Sequence, residues 1–134
     1  MRRIAAALCL TILCAQSALA APERPRVFVV FFQEWSAAID ETAQSVIKQA
    51  ALTGERGLAR ANPRSPVKVT GFADPTGSKA ANVLLSDLRA QRVVDFLLDG
   101  QVPANMLQRR GKGPVRYAGS SIESRRVEIA IQPK

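Results

Sequence analysis

Two charged residues in the segment GFADPTGSKAANVLLSDLRAQRV, residues 71–93, have the types and settings that binding chemistry needs. Asp74 stands before a proline in a stretch of turn composition, and Arg89 follows in a run with helical patterning. On a wheel at ~100° per residue, Arg89 falls between Leu85 and Val93 on the apolar side, together with Asn82, Ser86, Val83, Ala90, Val94, Phe96 and Leu97. Asp87, Gln91, Arg92, Asp95 and Asp99 fall on the other side, where Leu84, Leu88 and Leu98 interrupt them. A guanidinium among apolar neighbours must find an acid, snorkel to the helix edge or face a ligand cleft. An internal ion pair, with Asp74 as one candidate partner, satisfies the first condition. A site using both charges satisfies the third: a carboxylate and a guanidinium on opposite walls match the ammonium and carboxylate of a zwitterion, and arginine can hold a carboxylate with two bonds. Asp74 alone has an ordinary explanation as well, because Asp-Pro favours turn initiation.

Catalytic chemistry has little to build on. The chain has no histidine, which removes the commonest general base and metal ligand. No Ser-His, Cys-His or paired-carboxylate arrangement is visible, and the loop after Gly71 lacks the Gly-Lys-Ser/Thr ending of a phosphate-cradling loop. No enzymatic activity, metal or cofactor is expected.

The elements that must position these residues follow from periodicity. Val27–Phe32 is a continuous apolar, aromatic and β-branched run, suited to a strand buried on both faces or to a central strand under helices. Ser36 can cap a first helix with Asp40 and Glu41 in its early turns, and Trp35, Ile39, Ala43, Val46 or Ile47, and Ala50 recur at helical spacing. Gly54 and Gly57 weaken that helix, and residues 61–66 read as a loop. Val67–Thr70 alternates as a strand, Gly71–Ser78 reads as a loop, and a long helix from Lys79 to Asp99 stops at Gly100. Pro103 can open one helical turn through Met106 and Leu107, and the glycines from Gly111 to Gly119 suggest a loose connection before a last strand, Val127–Ile131. The strand-helix-strand-helix-strand order (βαβαβ) predicts an α+β sandwich, a sheet with helices packed on it.

The N-terminus is patterned for export. Arg2 and Arg3 precede an apolar run from Ile4 to Ala15, too short for the ~20 residues a membrane span needs. Ala18-Leu19-Ala20 then offers a cleavage site, so residues 1–20 read as a signal peptide and residues 21–134 as one domain. Cys9 and Cys14 each follow a leucine, which argues against a lipid-modified start; both leave with the signal, and the domain must hold by packing without a disulfide. Losing Arg2 and Arg3 lowers the formal charge from +8 to +6. The basic residues are spread along the chain and read as a solvated surface, and nucleic acid is not an expected partner.

The segment Gly71-Phe72-Ala73-Asp74-Pro75-Thr76-Gly77, followed by Asn82, Leu85-Ser86, Arg89-Ala90 and Val93, resembles the core signature of the OmpA-like peptidoglycan-binding domain family. Ser124-Arg125-Arg126-Val127-Glu128-Ile129 is similar to the family's closing strand, and Val27–Phe32 with Trp35-Ser36-Ala37 to its opening, so the resemblance spans nearly all of residues 21–134. It implies helices on one face of a mixed four-stranded sheet. It also implies a ligand, the meso-diaminopimelate residue of the peptidoglycan stem peptide, held by Asp74 and Arg89, with Asn82 lining the same pocket. Phe72 stands where histidine is usual, Ala73 where threonine is usual, Ala81 where an aromatic often precedes the asparagine, and Ser124 where asparagine is usual; Phe72 and Ala73 would flank the site and lower its affinity. The implied setting is the periplasm, in association with the cell wall or outer membrane, with an envelope membrane protein as a further partner and no transmembrane segment after cleavage. The competing reading is a periplasmic adaptor that keeps the fold and has lost the ligand, using the face that carries Leu84, Leu88 and Leu98. On either reading Asp74 and Arg89 are expected to be dispensable for folding.

Cleavage behind Ala20 predicts a mature protein beginning at Ala21, to be read as an intact mass from the periplasmic fraction; retention of Met1 or a lipid adduct would contradict it.

Overall fold

The apolar run near the N-terminus forms an edge strand rather than a doubly buried one. In the computed structural model, which describes residues 24–60, 66–116 and 119–132, with backbone alone over 55–60, β1 spans Arg26–Phe31. Its outward residues Val27 and Phe31 are 52% and 46% exposed, while Val30 and the following Phe32 are buried. The helices cover only one face of the sheet, so an unbroken apolar run does not report burial on both sides. The proposed signal peptide lies outside the described residues, as does most of the predicted 61–66 loop.

Four strands form one mixed sheet in the order β1-β4-β2-β3, with β2 at Val67–Ala73, β3 at Leu107–Pro114 and β4 at Arg126–Ile131. β4 pairs antiparallel with both β1 and β2, whereas β3 lies parallel to β2. Helices α1 (Glu41–Arg60) and α2 (Lys79–Asp99) pack on one face, and the core between the layers is built from Val30, Phe32, Ile47, Val69, Val93, Leu97, Val127 and Ile129 among others. The α+β class and the helices-on-one-face arrangement inferred from the sequence are those observed.

Several boundaries differ from the sequence reading. α1 starts at Glu41, not at Ser36: Asp40 caps it by accepting from the Ala43 amide at 2.7 Å, while Ser36 Oγ accepts from Ala38 N in a turn. A carboxylate at the cap outcompetes the hydroxyl because it also meets the positive end of the helix dipole. β2 continues three residues past Thr70 to Ala73, which shortens the loop before α2. The glycine-containing segment 107–114 is a strand; its glycines let it lie against α2, so they mark close packing rather than looseness. α2 runs from Lys79 to Asp99 as predicted, capped by Ser78 Oγ accepting from Ala81 N, and its left-handed exit residue is Gln101 (φ 65°), not Gly100 (φ −78°). Val83, assigned to the apolar side by the wheel, is 39% exposed.

α2 crosses β2 at Gly71. A Cβ built on Gly71 would overlap the Ser86 backbone carbonyl, and Ser86 in turn bonds Val83 O and receives the Gly113 amide at 2.9 Å. This crossing places the first half of α2 directly over the end of β2. Gly71→Ala should therefore cost about 3 kcal/mol of stability in denaturant unfolding. Gly54→Ala, in a helix where the nearest atom to the new Cβ is Ile131 Cδ1 at 4.0 Å, should instead gain roughly 0.5–1 kcal/mol.

Candidate functional site

Where β2 ends and α2 begins, three loops converge: residues 32–40 after β1, residues 74–78 after β2, and the turn at Ser121–Arg125 before β4. Arg89 reaches them from the third turn of α2. It is wholly buried, and its guanidinium donates to three backbone carbonyls: Nε to Ser36 at 2.8 Å, Nη1 to Phe72 at 3.2 Å and Nη2 to Gln33 at 3.0 Å. The Phe32 ring lies 5.3 Å from its central carbon. Of its five N–H groups, these bonds use one on each nitrogen, so each terminal nitrogen keeps a second. Burial pushes the Arg89 pKa down to about 10; Asp74 opposes that shift and Arg125 adds to it. The group therefore stays charged at neutral pH.

Asp74 is also buried, and its Oδ1 accepts the Thr76 amide at 3.0 Å, shaping the turn. Its Oδ2 lies 3.5 Å from Arg125 Nη1. Among the described residues Asp74 and Arg89 form no ion pair within 4 Å; their interaction is through space. Asp74, the candidate partner of Arg89 in the sequence reading, is thus matched instead by a second arginine, and Arg89's positive charge is met by carbonyl dipoles. Asn82, buried under the same loop, donates from Nδ2 to Thr76 O at 2.7 Å. Asp74, Asn82 and Arg89 are accordingly gathered around one loop. Phe72 contributes its carbonyl to Arg89, but its ring lies on the opposite face of the sheet, stacked 4.2 Å from the Arg126 guanidinium, and Ala73 is completely buried.

Two residues at the site had no site role in the sequence reading, which set Trp35 in the first helix's apolar stripe although α1 begins only at Glu41. Arg125 donates from Nε to Phe32 O and from Nη1 to Ser121 Oγ beside its contact with Asp74. The signal was present in the Arg125-Arg126 pair: consecutive residues entering a strand point to opposite faces, so the two arginines could not share one environment. Trp35 is the other. Its φ of 52° is left-handed, in a turn closed by the Ser36 amide on Gln33 O, and its ring rests on Gly77, which itself has φ 85°. A bulky residue at such a φ costs on the order of 1 kcal/mol. A separate surface groove of about 380 Å³, lined by Ala37, Ala38, Ile39, Leu88, Arg92 and Phe96, includes none of the charged trio. Among the described residues no three Asp, Glu, His or Cys side chains gather as metal ligands would.

With this geometry, comparison with known proteins is direct. The OmpA family profile matches residues 31–127. The chain belongs to the OmpA family. It is 30% identical over 102 residues to the probable lipoprotein YiaD of Escherichia coli, a match covering 69% of this chain and 47% of that relative, so the chain spans less than half of that relative's length. Two solved structures share the fold: the peptidoglycan-associated lipoprotein of Burkholderia pseudomallei (TM-score 0.65, 18% identity, covering 78% of this chain and 88% of the other) and the OmpA-like domain of FopA1 from Francisella tularensis (TM-score 0.69, 19% identity, 80% and 72%). The mixed four-stranded sheet implied by the family resemblance is the sheet observed.

The three carbonyl bonds of Arg89 argue against the expectation that it is dispensable for folding. Arg89→Ala should lose about 3 kcal/mol or more, because three buried carbonyls lose a charged donor and a cavity opens. Arg89→Lys should lose roughly half as much, since one ammonium cannot span the fork. Denaturant midpoints at unchanged m-value measure both.

Proposed function

We propose that this protein is a non-catalytic, periplasmic peptidoglycan-binding module that recognises the meso-diaminopimelate residue of the stem peptide. The observation that carries the reading is the juxtaposition of one carboxylate, Asp74, with two guanidiniums, Arg125 at 3.5 Å and the buried Arg89 behind it. Diaminopimelate presents an ammonium and a carboxylate on one carbon. Asp74 accepts the ammonium; the carboxylate is drawn by the two arginines, Arg125 at the partly exposed rim and Arg89 from beneath. Asn82 holds the loop that carries Asp74 through Thr76 O. The naming of one structural relative as peptidoglycan-associated supports the same ligand class. No helix among the described residues is long and apolar enough to cross a membrane, so on this reading any membrane attachment comes from elsewhere in the chain or from an envelope partner.

One observation favours the adaptor as a second reading: Leu84 and Leu88 are 72% and 48% exposed on α2, and Leu88 lines the apolar groove. Binding to purified sacculi separates the two. Asp74→Asn keeps the Thr76 acceptor and removes the charge, so it should weaken binding to diaminopimelate sacculi roughly ten- to a hundredfold while keeping a cooperative unfolding transition. Sacculi with lysine in that position lack the carboxylate and should bind the parent protein poorly. Absence of binding to either wall would favour the adaptor, whereas equal binding to both walls, or an unaffected Asp74→Asn, would overturn diaminopimelate recognition through Asp74.

A further inference from the structure

Trp35 is the one tryptophan of the chain, and the charged site does not use it. Its position is nevertheless fixed by that site. Arg89 holds the carbonyls of Gln33 and Ser36, the residues on either side of the turn, and the Ser36 amide closes the turn on Gln33 O at 3.3 Å. This puts Trp35 at the third position of a four-residue turn with positive φ, where glycine or asparagine is the ordinary occupant. The indole's benzo end rests on Gly77, three residues after Asp74 in the loop that shapes the site: a Cβ on Gly77 would lie 2.6 Å from Cη2. The rest of the residue faces outward, at 53% exposure. A large aromatic is thus held in a backbone conformation that disfavours it, with its base fixed and its surface free. Packing does not account for this, since burial is what a core tryptophan would gain.

We infer that Trp35 is a sugar-stacking subsite, giving the site affinity for a pyranose ring of the glycan strand next to the stem peptide. The inference rests on the peptidoglycan reading and adds a second ligand class to it. The C–H groups on one face of a pyranose are weakly positive and apolar, and they complement the electron-rich face of an indole. The indole already rests on the Gly77 backbone, so less side-chain freedom remains to be lost on stacking. The bond between stem peptide and glycan places a sugar at one end of the peptide whose other part would occupy Asp74.

The tryptophan reports on its own occupancy. The purified protein is titrated with a diaminopimelate-containing stem peptide and with the same peptide attached to its disaccharide, following Trp35 emission and, in parallel, heat of binding. The expected result is a blue shift with the disaccharide-peptide that the free peptide does not produce, and an affinity advantage of roughly five- to tenfold for the disaccharide form. Trp35→Asn suits the positive φ and removes the ring, so by calorimetry that advantage should fall to about one; Trp35→Phe should retain part of it. Equal affinities for the two ligands, or an advantage that persists in Trp35→Asn, overturn the subsite while leaving the diaminopimelate reading intact. Absence of binding by either ligand overturns both.

Discussion

A guanidinium with no exposure to water has lost its hydration, and the protein must replace it. At Arg89 the replacement is three backbone carbonyls, from Gln33, Ser36 and Phe72. Because a guanidinium is planar and its donors are fixed, those carbonyls must lie near one plane and at set distances. That requirement ties the end of β2 to the loop after β1, two segments brought together by the sheet only through β4 between them. The replacement is incomplete. Burial pushes the Arg89 pKa down to about 10, so the site is biased against the charged form even with its carbonyl bonds in place. A well-packed apolar side chain would carry no such penalty, and buried ionic groups are often neutral or costly relative to apolar substitutes. A buried cation kept at that cost, beside a carboxylate and a second arginine, is the pattern expected of a working site more than of a scaffold.

The same constraint explains the loop geometry. Drawing the carbonyls of Gln33 and Ser36 onto one guanidinium folds four residues into a tight turn, and the positive φ of Trp35 is the outcome. Gly77 then has to remain without a side chain, since the indole occupies the space where a Cβ would stand. Gly71 answers a separate demand, the close approach of α2 to β2 that lets Arg89 reach its acceptors. The strained tryptophan and Gly77 therefore follow from where the acceptors of Arg89 lie, and Gly71 from the helix crossing that brings Arg89 to them.

Much of this was legible in the sequence, and the reasons divide by range. Local signals were read well: α2 has its predicted bounds, because Ser78 caps one end and the apolar pattern lasts until Gly100. The gathering of Asp74, Asn82 and Arg89 around one loop was implied by the family resemblance; the helix wheel alone set only Asn82 and Arg89, with Ser86, on the packed side of α2. What failed depended on partners far along the chain. β3 was hidden because its glycines imitate a linker, and only α2 lying across Gly111 shows why they are there. β1 was taken as central because hydrophobic runs report composition, not the position of a strand within a sheet. The real acceptors of Arg89 are carbonyls, which no side-chain pattern encodes, and the true partner of Asp74 lies fifty-one positions later, at Arg125.

The three ion pairs among the described residues differ in a way that bears on function. Arg109–Asp87 and Arg126–Glu128 close to 2.8 and 2.7 Å, the range of a charge-assisted hydrogen bond. Arg125–Asp74 stays at 3.5 Å, although it is more buried than Arg109–Asp87 and would gain more from close contact. Both of its members are held by other bonds: Asp74 by the Thr76 amide, Arg125 by Phe32 O and Ser121 Oγ. The pair is thus preorganised but not closed. On the proposed reading, a zwitterion entering between the two charges exchanges a loose pair for two tighter ones and displaces no existing short bond. A site whose charges were already locked together would have to be broken before it could bind, and the carbonyl bonds that anchor Arg89 away from Asp74 prevent that locking.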